Sequence, residues 1–196
     1  MGCWLMAWNK LGTTTLGSAN NSISFNIDGN KFLTVLHHVI DKSGFAENQT
    51  NYNSDTATNY AVRRCPNGGS DLTSTSYAST RESTTAYDVD DFGVTYIINI
   101  ATEEKLSIGF FIDQRAAGAG TVPERTETVN KWANTSNTIT NINRNLNNSE
   151  TQASNSNLTV LGSDGTESLN VQDGAIYYDT DLNKEYVLYN NTWTEI

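Results

Sequence analysis

Charge is scarce in this chain. Charged residues are 17% of its 196 positions, against roughly 25% in an average soluble protein. Lys and Arg number 12 and Asp and Glu 22, for a net charge of −10 and a pI near 4.5. No basic footprint is present for a phosphate backbone, which excludes nucleic acid and an anionic membrane surface as expected partners. Two cysteines, Cys3 and Cys65, are too few for a disulfide framework and read as free thiols. The two histidines, His37 and His38, leave no four-ligand zinc set without carboxylates. With 2 Pro and 14 Gly the chain is no Pro/Gly-rich disordered segment. The absence of a long apolar run excludes a membrane-spanning helix. No basic region precedes an apolar stretch at the start, so no secretory signal is expected. Met6 stands where a myristoylation signal needs Ser or Thr.

In place of charge there are 25 Asn, 17 Ser and 26 Thr, about a third of the chain. Hydroxyls and amides with 10% aromatics suit a β-rich protein with a neutral surface. Ser22 to Ile27 alternates polar and apolar, Asp28-Gly29 follows, and Lys31 to Ile40 is rich in branched residues. This predicts a hairpin closed by a tight Asp-Gly turn. On its second strand Leu33, Val35, His37 and Val39 share one face and Phe32, Thr34, Leu36, His38 and Ile40 the other, as in an internal, well-covered strand.

Tyr60 to Arg64 reads as a strand entering the turn Pro66-Asn67-Gly68-Gly69. Ser70 to Asp90 reads as a long loop or weak edge strands. Gly93 to Ile100 and Leu106 to Asp113 form a second hairpin across Ala101 to Lys105, Ala116 to Gly120 is a hinge, and Thr126 to Trp132 resumes the alternation. No convincing helical periodicity is present. The expected fold is an all-β, antiparallel β-sandwich over residues 1–133. An Asn/Ser/Thr-rich loop or linker follows over 134–157, with Ile139 and Ile142 leaving room for a polar strand. A small β-hairpin module is expected over 158–196, with strands at Leu158 to Leu161, Ser168 to Val171, Ala175 to Tyr178 and Glu185 to Tyr189. So small a ribbon needs another surface to pack on.

Candidate chemistry is thin. His37 and His38 are adjacent on a strand and point to opposite faces, so one is expected in the core with a partner and one near the surface. Asp88-Val89-Asp90-Asp91 lacks the spacing of a Ca²⁺ loop and reads as a solvated acidic loop. Asp179-Thr180-Asp181 reads as turn chemistry. Gly17-Ser18-Ala19 lacks the frame of a nucleophile elbow, and no carboxylate pair is singled out for glycoside hydrolysis. No catalytic, metal-binding or cofactor residue is assigned, and an enzyme is not expected. Tyr177, Tyr178, Tyr186, Tyr189 and Trp193 cluster near the C-terminus, either as the ribbon's own core or as a sugar-stacking surface.

Gly174 to Ile196, with Gly174, Ile176, Tyr178, Asp179, Thr180, Asn183, Lys184, Tyr186 and Trp193 in step, is similar to a short module of structural proteins in tailed phages and related viruses. Asn190-Asn191 departs from the Asn-Gly usual before its Trp. Leu33 to Ile40, Asn59-Tyr60, Arg63-Arg64 and Asn67-Gly68-Gly69 resemble a jelly-roll domain of phage and archaeal-virus proteins. The resemblance implies a jelly-roll-like virion surface protein: a capsid decoration, turret or fibre subunit without catalytic residues. It would be made in the host cytoplasm without a signal peptide and displayed in many copies as a homotrimer or homopentamer bound to other virion proteins. The alternative is a receptor-binding or carbohydrate-binding module at a fibre tip, recognising a host surface glycan. Trp4, Leu5, Met6 and Trp8 read either as an anchor to a neighbour or as the first sandwich strand.

Overall fold

The computed structural model describes residues 8–82, 90–164, 174–180, 182–189 and 192–196. The described chain divides into two compact units, one within residues 8–164 and a smaller one beyond residue 164. Among the described residues eleven strands build the larger unit: β1 (Asn9–Thr15), β2 (Ser22–Asn26), β3 (Phe32–Val39), β4 (Asn48–Tyr52), β5 (Tyr60–Pro66), β6 (Leu72–Tyr77), β7 (Asp91–Ile98), β8 (Lys105–Asp113), β9 (Glu124–Trp132), β10 (Asn141–Leu146) and β11 (Asn157–Ser163). A short 3-10 turn, Asn147–Ser149, is the one helical element among the described residues.

All pairings are antiparallel, in one eight-stranded sheet of order β1-β11-β3-β7-β8-β9-β5-β6 and a three-stranded sheet of order β2-β10-β4. Beside β4, the Thr80 and Glu82 N–H groups donate to the carbonyls of Thr50 and Asn48 at 2.9 and 3.0 Å, adding a short fourth row. A jelly roll winds eight strands so that the first, eighth, third and sixth share one sheet and the second, seventh, fourth and fifth the other. Here β1-β11-β3-β7 faces β2-β10-β4 and the 80–82 row in that order. The remaining strands are excursions: β5–β6 leaves between β4 and the 80–82 row, and β8–β9 between β7 and β10. Together they extend the large sheet beyond β7.

The core lies between the sheets, where Ile23 and Ile27 meet Leu33, Val35, Leu158 and Val160. This packing overturns the expected Asp28-Gly29 hairpin. β2 pairs with β10 and β3 with β11 and β7, so the Asp-Gly corner carries the chain from one sheet to the other. In a hairpin β2 and β3 would lie side by side in one sheet; in the sandwich Ile23 and Val35 come from different sheets and share the core between them. The hairpin of β7 and β8, by contrast, forms as its sequence indicates.

Within the expected loop or linker at 134–157, Asn141–Leu146 form β10, the polar strand for which Ile139 and Ile142 left room. The segment's few apolar residues, Ile139, Ile142 and Leu146, are all buried, and β10 is the central strand of the smaller sheet. Asn side chains hold its approach. Asn99 accepts from the Ile139 N–H at 2.6 Å and donates to the carbonyls of Asn30 and Ile139. Asn53, itself at positive φ, accepts from the N–H groups of Thr140 and Asn141 and donates to the Thr138 carbonyl. β11 completes the large sheet, so the unit boundary falls at Asp164–Gly165 and not at Asn157–Leu158.

A cluster of Tyr52, Tyr60 and Trp132, with ring centroids 5.7–6.3 Å apart, ties β4 to the β5–β9 extension. The Trp132 indole N–H donates to Asp55 at 2.7 Å, and the Tyr60 hydroxyl accepts from the Tyr52 N–H.

The smaller unit contains β12 (Ile176–Asp179), β13 (Lys184–Tyr189) and β14 (Thr192–Glu195), paired in that order. The expected strand at Ser168 to Val171 spans residues outside the described set.

Asn99→Ala strands the buried Ile139 N–H and should cost about 2–3 kcal/mol. Urea denaturation checks this; a loss below about 0.5 kcal/mol, the scale of a neutral surface change, would show that the amide does not hold β10 in place.

Candidate functional site

The larger unit is unusual in what it turns outward. Along β8 the inward positions are Lys105, Ser107, Gly109, Phe111 and Asp113, and the outward positions Leu106, Ile108, Phe110 and Ile112. On β7 the inward set is Asp91, Gly93, Thr95 and Ile97, and the outward set Phe92, Val94, Tyr96 and Ile98. A strand with one buried face normally buries its apolar register, and a slip by one residue would exchange the two faces. Here the register that leaves the apolar face outside is the one that forms.

These outward residues adjoin across strands. Phe92 pairs with Ile112, Val94 with Phe110, Tyr96 with Ile108, and Ile108 with Val129 of β9. Phe92, Tyr96, Ile98, Leu106, Ile108, Phe110, Ile112 and Val129 are each 41–52% exposed. Trp8, Phe32, Tyr96, Leu106, Ile108 and Val129 help to line a shallow cleft of about 790 Å³ on the same sheet. Arg63, Arg125, Glu127 and Lys131 lie on the β5–β9 side of this face. Over the three strands that carry these residues, at about 4.8 Å spacing and about 3.4 Å per residue, the face spans roughly 400 Å², in the range of the largest apolar patches exposed by soluble monomers. A contiguous apolar surface of this size marks an interaction site.

The polarity displaced inward forms a buried ion cluster. Asp91 Oδ1 accepts from His37 Nε2 at 3.2 Å, and Oδ2 accepts from Lys42 Nζ at 3.3 Å and from the Asn48 amide. Arg144 Nη2 lies 3.9 Å from Asp91, and Arg144 Nε donates to Glu82 at 3.0 Å. Glu82 also accepts from the hydroxyls of Thr50 and Thr80. These partners come from β3, β4, β7, β10 and the 80–82 row, so the cluster joins the sheets. A second group pairs Glu47 with Arg64 and Arg81.

Burial opposes the Asp91 carboxylate, but the hydrogen bond from His37 and the charges of Lys42 and Arg144 outweigh it and hold the carboxyl far below its ordinary range. Burial and the Arg144 charge push the His37 imidazole down from 6.5 against the pull of Asp91, so a neutral ring donates from Nε2. That ring stacks on Phe111 at 5.3 Å over Gly93, where a Cβ would collide with both.

Of the residues singled out in the sequence, His37 is buried with a partner and His38 is half-exposed, its Nε2 3.7 Å from Asp90. Asp91 is no part of a solvated loop: it is buried because its strand register carries it inward, a placement that reading Asp90-Asp91 as a charge run missed. Asp88 and Val89 lie outside the described residues. Cys65 is a free thiol whose Sγ lies 3.2 Å from the Gly69 carbonyl, and Cys3 lies outside the described residues. Asp179 accepts from the Leu182 N–H at 3.0 Å, a turn bond, and Asp181 is outside the described set. Gly17-Ser18-Ala19 lies in the β1–β2 connection, and Trp4, Leu5 and Met6 lie outside the described residues. Tyr177 stacks on Tyr186 at 5.1 Å with Trp193 edge-on at 4.8 Å, while Tyr178 and Tyr189 lie exposed on the opposite face of the small sheet. Among the described residues no group of three or more His, Cys, Asp or Glu is placed to hold a metal ion.

Below about pH 6.5 the unfolded chain binds a proton at His37 that the folded chain refuses, so stability falls as pH falls. Asp91 adds a further loss below 3.8, its value when unfolded. Burial pushes Asp113 up, and it works in the opposite sense just above that value. Comparing wild type with His37→Gln isolates the imidazole: between pH 7.5 and 5.0 the wild type should lose more stability than the variant, up to a ceiling of about 2 kcal/mol. Equal losses in urea titrations would show His37 to be freely protonated. Compared with known proteins, the chain matches no family model, no curated protein and no solved structure.

Proposed function

We propose that this chain is a virion structural protein, displayed in many copies on a capsid or fibre surface as a decoration, turret or fibre subunit, and that it acts by self-association. The observation that carries the reading is the outward apolar face of β7 and β8, continued by Val129 of β9, on a jelly roll whose inner face along those two strands carries Asp91, Thr95, Lys105, Ser107 and Asp113. A face of this kind stays out of water only in an assembly. Copies of the chain packed around a rotation axis in a closed homotrimer or homopentamer cover it by symmetry. The Asn-, Ser- and Thr-rich remainder and the net charge of −10 keep such assemblies soluble at high local concentration. The C-terminal module, with its likeness to modules of virion proteins, supports the same setting.

The second reading, a receptor-binding or carbohydrate-binding module at a fibre tip, draws on the exposed Tyr178 and Tyr189 of the smaller unit. An array of host-type glycans probed with wild type and Tyr178→Ala tests it; binding lost in the variant favours recognition.

Size-exclusion chromatography with light scattering tests assembly. Wild type should elute as a defined trimer or pentamer, and Ile108→Glu as a folded monomer with an unchanged circular-dichroism spectrum. Wild type that stays monomeric at about 100 μM, well above the micromolar range of weak specific complexes, would overturn self-association through this face.

A further inference from the structure

Lys42 lies in the connection between β3 and β4 and is fully buried. Its Nζ is 3.3 Å from Asp91 Oδ2 and 3.6 Å from Asp113 Oδ2. Asp91 opens β7, Asp113 closes β8, and the two are direct cross-strand partners. Like charges directly opposite one another destabilise a sheet, and one ammonium balances only one of them. The surroundings separate the pair. Asp91 receives His37, Asn48 and Lys42 and has Arg144 nearby. Asp113 has the Arg115 N–H on Oδ1 at 2.8 Å and only the Lys42 ion pair on Oδ2. Burial pushes the Asp113 carboxyl up and the partners of Asp91 push that one down. Asp113 is therefore the less compensated of the two carboxyls.

We propose that Lys42 and Asp113 condense spontaneously into an intramolecular isopeptide bond, with Asp91 as the proton-transfer group. One proton passes from the Lys42 ammonium through Asp91 to the Asp113 carboxylate, and the freed amine attacks Cγ of Asp113. Asp91 then relays a second proton from the nitrogen to the departing hydroxyl. The N–C bond forms, one C–O bond breaks, one water leaves, and Asp91 ends as the carboxylate it began as; no oxidant or reductant takes part. The three groups are already positioned, which removes the entropic cost of bringing them together. A desolvated lysine is a competent nucleophile. The reaction also replaces a buried ion pair by a neutral amide, relieving a desolvation penalty that the pair only partly offsets. The product ties the β3–β4 connection of the jelly roll to the far end of β8, across the hairpin that bears the apolar face, and does not depend on what that face binds.

Intact-mass spectrometry of the purified full chain tests the bond, with Lys42→Arg, which keeps the charge, as the unlinked reference. After correction for the substitution, wild type should be lighter than the variant by one water. Trypsin should then fail to cut after Lys42 and yield residues 32–63 joined to residues 106–115. The linked protein should melt on the order of 10 °C above the variant, as for a covalent closure of a long loop. Wild type at full mass, with residues 32–42 and 106–115 recovered as separate peptides, would overturn the proposal. Loss of one ammonia in place of water would overturn it as well, by making Asn48 the acyl donor.

Discussion

The buried Asp91 carboxylate is the interaction on which the larger unit depends. An ion in a near-dry interior is tolerated only when its partners are complete. Those partners come from β3, from the β3–β4 connection, from β4 and from β10 of the opposite sheet. Satisfying Asp91 therefore fixes how the two sheets face one another. Glu82, through Arg144 and the hydroxyls of Thr50 and Thr80, extends the requirement to the outer row of the smaller sheet. Apolar packing alone leaves sheets free to slide; a charge with named partners does not.

The same polarity explains the outside. The outward faces of β7 and β8 are apolar, their inward faces carry Asp91, Thr95, Lys105, Ser107 and Asp113 beside Ile97 and Phe111, and the ion cluster claims that mixed face. With Asp91, Asp113, Thr95 and Ser107 turned inward, Phe92, Tyr96, Ile108 and Phe110 turn away from the core. Exposure of the apolar face and burial of the ions are thus one decision, made by strand register. Assembly through that face would recover the apolar burial that the interior gives up.

Much of the strand content was legible because period-two alternation and turn residues are local signals. The β7–β8 hairpin, the internal character of β3, the β5 strand with its Pro66-Asn67-Gly68-Gly69 turn, and the opposite placement of His37 and His38 all follow from neighbours in sequence. The connection at Asp28-Gly29 was misleading because a tight turn and a sheet-to-sheet corner use the same residues. β10 was obscured because its stability comes from Asn53 and Asn99, distant residues whose amides stand in for backbone partners. Reading 134–157 by its own polarity missed them.

The sequence by itself determined an antiparallel all-β chain, its scarcity of catalytic residue types and the two-faced patterns of its strands, since these depend on composition and on spacings of a few residues. Only the tertiary structure decided which face of β7 and β8 lies inside. It also decided which strands share a sheet, and that His37, Lys42, Asn48, Asp91, Asp113 and Arg144 converge. Those outcomes rest on pairings between residues far apart in the chain, where a charge finds its partner or a register wins by the sum of many contacts, and no local pattern encodes that sum.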